Sequence, residues 1–73
     1  MERPPLLSTI ALLVDFPEHG LTRGEMGAVV EHLGAEGDEA VLVEFVDRDG
    51  QTYALVDVLP DQVIVLHNRR CAA

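Results

Sequence analysis

Five short apolar runs, separated by glycine, proline and acidic residues, divide this chain into segments of strand length. Ile10 to Val14 is continuous and apolar and stops at Asp15 and Pro17; a helix started by Ser8 or Thr9 would be ended by Pro17 within about two turns, so the segment reads as a buried strand. Gly27 to Leu33 reads as a second strand. It is entered through two glycines three residues apart: Gly24 permits a sharp turn after Arg23, and Gly27 lets the backbone pass close to a neighbouring strand. Between these strands, residues 17–24 are dense in turn formers, with Leu21 expected to point inward as an apolar plug. Residues 34–39 read as a flexible acidic turn.

The strongest local signal is the tetrapeptide Asp47-Arg48-Asp49-Gly50, flanked by the runs Ala40 to Val46 and Thr52 to Val58. Asp49-Gly50 suits a type I turn closed by a left-handed glycine, which makes these runs a β-hairpin. With Asp47 opposite Gln51, the expected register sets Phe45 against Tyr53, Val43 against Leu55 and Val41 against Asp57 on a core side, Tyr53 keeping its hydroxyl at the rim. Leu42, Glu44 and Val46 then share the other side with Val56, Ala54 and Thr52. That side is more apolar than a solvated face requires; intramolecular cover and an oligomer or partner interface both stay open. Leu59 to Gln62 reads as one 3₁₀ turn before a last strand, Val63 to Leu66. Residues 1–6, with their Pro4-Pro5 pair, form an expected tail, Leu6 and Leu7 tucking under the sheet; residues 7–66 form the domain and 67–73 a second tail.

Composition narrows the function. The 73 residues allow one domain with a thin core. Thirteen acidic residues against five arginines and no lysine give a formal charge of −8, which opposes nucleic-acid binding, where cationic side chains must replace the counterions around phosphate. Cys71 is the single cysteine, and no basic segment precedes an apolar run with a cleavage site, so a cytoplasmic location is expected. No apolar segment approaches the roughly 20 residues of a membrane-spanning helix. His19, His32 and His67 lack partners at metal-ligand spacing, and the glycines at 24 and 27 lead into a strand, whereas phosphate-binding motifs lead into a helix. No catalytic, metal or cofactor residue is therefore assigned, and the three aromatic residues are too few for a proline-rich peptide groove. Asp15, Glu18, Glu25, Glu36, Asp38 and Glu39 could instead steer a basic protein to the surface, joined by Leu42, Glu44, Val46 and Val56 on the hairpin. Gly24, Gly27, Asp49 and Gly50 are assigned to turn and backbone geometry.

Five short strands with a long first loop, a glycine in the second strand, a tight third-to-fourth hairpin and a 3₁₀ turn before the last strand resemble a small five-stranded SH3-like barrel, an all-β fold. The segments Ala11 to Leu21, Arg23 to Val30 and Val43 to Leu55, followed by Asp61-Gln62-Val63, resemble more closely the bacterial family called domain of unknown function 4926, over about Leu7 to Leu66. That resemblance implies a compact barrel and, for some such proteins, a neighbouring gene for a toxin or other partner. The expectation is a non-enzymatic interaction module, such as an antitoxin or immunity protein that neutralises a basic partner. The alternatives are an accessory or maturation subunit of a larger enzyme, or a nucleic-acid-associated barrel.

Overall fold

The computed structural model describes residues 3–34 and 39–67. Five strands are present: β1 (Thr9–Leu12), β2 (Met26–His32), β3 (Val41–Val46), β4 (Thr52–Val58) and β5 (Val63–Val65). Single 3₁₀ turns cover Pro17–His19 and Pro60–Gln62, the second leading directly into β5. All pairings are antiparallel, in the order β4-β3-β2-β1-β5, so the first four strands form a meander and β5 returns to the free side of β1. Among the described residues there is no α-helix, and no helix is long and apolar enough to cross a membrane.

One face of this sheet builds the core. Ile10 and Leu12 of β1, Val29 of β2, Val41, Val43 and Phe45 of β3, Val56 and Val58 of β4 and Val63 of β5 are all buried in one cluster. Period-two alternation produces this directly, because successive strand residues point to opposite faces. The sheet curves enough for the outer strands, β4 and β5, to share that cluster. Gly27 explains part of the curvature: a Cβ built there would lie 2.6 Å from Val43 Cγ1 and 2.9 Å from the Glu44 carbonyl oxygen. Only glycine lets β2 press this closely on β3. A bulge between Val29 and Glu31 bends β2 further on.

Leu21 closes one end of the core, as its isolated position predicts. It exchanges backbone hydrogen bonds with Phe16 at 2.9 and 3.1 Å, around the 3₁₀ turn and the left-handed Gly20. The Gly24 N–H then donates to the Leu12 carbonyl at 2.8 Å with φ +96°, returning the chain to the sheet. β1 is shorter than the apolar run that forms it. Leu13 and Val14 are exposed, because the Leu13 N–H turns away to the Gln62 carbonyl at 2.8 Å.

The β3–β4 hairpin corrects the expected register. Asp47 N–H does donate to the Gln51 carbonyl at 2.9 Å, and Gly50 N–H to the Asp47 carbonyl at 2.9 Å, with Gly50 at φ +81°. Val46 then pairs with Thr52, but Phe45 pairs with Ala54, Val43 with Val56 and Val41 with Val58. Tyr53 is the extra residue of a bulge. The slip of one residue turns Val56 and Val58 into the core and Leu55 and Asp57 out of it, which spares the core a carboxylate. Tyr53 lies beside Phe45, ring centroids 6.4 Å apart, yet stays half exposed.

The N-terminal segment is held where a tail was expected. Leu7 N–H donates to the Val29 carbonyl at 2.7 Å, and the buried Pro4 offers its carbonyl to His32 Nε2 at 2.7 Å. Since a carbonyl only accepts, Nε2 carries the proton. Leu6 and Leu7 do not tuck under the sheet: Leu7 is 82% exposed and holds a left-handed φ of +69° at a turn closed by Ser8 N–H on the Pro5 carbonyl. Most of the expected acidic turn, including Glu36 and Asp38, lies outside the described residues, as does the C-terminal tail beyond His67.

Candidate interaction site

The outer face of the sheet follows from the inner one. With Ile10, Gly27, Val43 and Phe45 turned inward, Thr9, Ala11, Met26, Ala28, Leu42, Glu44 and Val46 take the opposite face. Thr9, Ala28, Glu44 and Leu55 line up across four strands, and Met26, Ala11 and Ile64 across three. Met26, at 58% exposure, and Val46, Leu55 and Ile64, at about half, leave an apolar band open to solvent. A depression of about 280 Å³ sits in it, lined by Thr9, Met26, Gly27, Ala28, Glu44 and Val46. It exists because Ala28 provides little side-chain volume between the longer Met26 and Val46, leaving the backbone at Gly27 as part of its floor.

Glu44 is the only charged group lining this depression. One of its oxygens, Oε2, accepts the Thr52 hydroxyl, which fixes the carboxylate over β3 and β4; Oε1 has no partner among the described residues. An anchored carboxylate above an apolar floor can receive a side chain with an apolar stem and a cationic head, the form of arginine and lysine.

Other expected contact residues have structural roles. The Asp15 carboxylate accepts the Arg23 N–H at 2.8 Å across the base of the long loop. Glu25 accepts the Thr22 N–H at 2.8 Å and, through Oε1, the Tyr53 hydroxyl at 2.8 Å, tying the end of that loop to the β4 bulge. The Thr22 N–H, followed by the Tyr53 hydroxyl, holds the Glu25 carboxyl below the usual carboxylate range, against a smaller opposing effect of burial. The same hydrogen bond to Glu25 pushes the Tyr53 phenol up, and desolvation adds to it. Glu39 pairs with Arg3 at 3.8 Å, and Glu18 is exposed on the first 3₁₀ turn.

Leu42, Glu44 and Val46 are thus brought together as expected from their alternation, whereas Val56 is 3% exposed and belongs to the core. The residues that sequence reasoning missed are Thr9, Met26, Ala28, Leu55 and Ile64. Met26 and Ala28 could have been found from Gly27: if the glycine faces a neighbouring strand inward, the residues on either side of it face out. Among the described residues no ionisable side chain is buried, and no group of three or more histidine, cysteine or carboxylate side chains could hold a metal.

A family model described as a domain of unknown function (DUF4926) matches residues 6–65, nearly the whole folded unit. The chain belongs to this family. The match takes in all five strands and both 3₁₀ turns of the DUF4926 chain, so the outer face is part of the family domain. No curated protein and no solved structure matches it.

Proposed function

We propose that this DUF4926 protein is a non-enzymatic interaction module that holds a cationic protein partner on the outer face of its sheet. The observation that carries this reading is Glu44: a carboxylate fixed by Thr52, with one oxygen unengaged among the described residues, on the wall of an apolar depression in a chain of charge −8. An arginine or lysine of the partner lays its stem on Met26, Ala28 and Val46 and its charge on Glu44. The overall acidity speeds the encounter and selects against acidic partners. Catalysis has no comparable support. The two shifted groups, Glu25 and Tyr53, move away from neutrality, opposite to the shift that poises a general acid or base near pH 7.

Affinity purification of the tagged protein from its host, at low and high salt, tests this. A single basic protein retained in stoichiometric amount, released by salt and lost from the Glu44→Lys, Val46→Asp double variant, is the expected result. Retention by that variant as strong as by the wild type would overturn the assignment. Loss of the captured protein's activity on binding would mark it as a toxin under neutralisation; preserved or enhanced activity would mark an enzyme subunit under assembly. Salt-sensitive capture of nucleic acid in place of protein would favour the small-barrel alternative, which the chain's charge opposes.

A further inference from the structure

We infer that the protein self-associates through β4, two copies pairing antiparallel about Leu55 into one ten-stranded sheet. β4 is seven residues long and outermost in the strand order, and among the described residues its backbone hydrogen-bonds to β3 alone. An edge of this kind is a template for another strand unless proline, charged side chains, a bulge or a covering loop blunts it. β4 has no proline and a single charged residue, Asp57, and its bulge lies at Tyr53, leaving Ala54 to Val58 regular. β5, the other edge, offers only three residues.

The occupant follows from the order of residues in β4. Antiparallel pairing on a two-fold axis at Leu55 sets Leu55 against its own copy and Ala54 against Val56. Leu55 is 53% exposed, so its pairing removes apolar surface from water on the outer face, while Ala54 and Val56 extend the inner layer. Asp57, the single charge in the strand, falls just beyond these regular pairs, beside the Tyr53 bulge of the other copy. The two Asp57 residues then stand four residues apart along the seam, roughly 14 Å, beyond the screening length of about 8 Å at physiological ionic strength. The net charge of −8 on each copy opposes association over longer range, so added salt strengthens this dimer. Binding of a cationic partner at Glu44 responds to salt in the opposite sense, which separates the two claims experimentally.

Sedimentation or light scattering of the purified full chain over a range of concentrations, at low and high salt, is the test, with amide exchange followed residue by residue. The expected result is a dimer that grows with concentration and salt, alternate β4 amides slowing as it forms while β5 amides do not. Leu55→Lys, which sets two ammonium groups face to face at an exposed site, should weaken the dimer at least about tenfold with unchanged circular dichroism. A monomer at the highest attainable concentration in high salt overturns the inference. So does a dimer that survives Leu55→Lys but is lost in Val46→Asp, or a wild-type dimer whose β4 amides exchange at the same rate at every concentration; this last reading does not depend on how the lysine variant folds.

Discussion

The two faces of β3 belong to one six-residue strand and have opposite fates. Val41, Val43 and Phe45 are wholly buried, whereas Leu42 and Glu44 are half-buried and Val46 is exposed. The inner row meets Ala54, Val56 and Val58 across the hairpin and the tight approach of Gly27 from β2; the outer row meets solvent and one hydroxyl. The inner face accordingly has little freedom to change, since every atom there has a packed neighbour. The outer face can be reshaped at little cost to the fold, which makes it the place where a partner site can be built.

Substitutions on the two faces should separate these roles. The largest effect is expected at Phe45: its replacement by alanine should cost about 3–5 kcal/mol in denaturant unfolding, where Val46→Ala stays within about 0.5 kcal/mol. Native domains hold roughly 0.05–0.15 kcal/mol per residue, about 4–11 kcal/mol for 73 residues, so the first variant should lose a large share of the fold's stability. Equal losses from both would remove the distinction between the faces. Next comes Gly27→Ala, whose methyl has nowhere to go between Val43 and the Glu44 carbonyl; a loss of about 1–3 kcal/mol is expected, read from the same titration.

Smaller effects test the margins. Leu7 holds a left-handed backbone with its side chain in water, so Leu7→Gly should raise the unfolding midpoint by the equivalent of up to about 1 kcal/mol. The smallest concerns Glu25 and Tyr53. Glu25 has a lowered folded pKa, so its contribution is complete above the ordinary carboxyl range and is lost as pH falls through the folded value; Tyr53, raised, contributes below the ordinary phenol value and loses its share as pH rises through the folded one. Tyr53 is the sole tyrosine, and its ultraviolet titration should therefore have a midpoint above 10 that drops toward the ordinary value in Glu25→Gln. An unchanged midpoint would mean that the hydrogen bond between them is not populated.

Most strand positions could be read from the chain, because runs of apolar residues bounded by turn formers admit few alternatives at this length. The Asp47 to Gly50 turn, the inward Leu21, the close approach at Gly27 and the 3₁₀ turn at Pro60 all follow from local chemistry: a left-handed glycine, an isolated apolar residue, a missing Cβ and a proline ring. The site was legible only in part. Leu42, Glu44 and Val46 fall on one face by alternation within a single strand, but Met26 and Ala28 join them only through the β2–β3 register, and Val56 leaves them through a one-residue bulge at Tyr53. The loop carboxylates show the same division, since a free acidic side chain and one that accepts an N–H from eight residues away, as Asp15 does, look alike in a sequence.

Local residue choice, then, determined where strands and turns begin and that the whole is all-β and acidic. Tertiary packing determined which side of β4 is wet, which carboxylates are engaged and where the sheet ends. The reason is physical: turn preference depends on one or two residues and their own backbone angles, whereas register and edge exposure depend on the sum of contacts across strands, and a slip of one residue reverses every side chain at once.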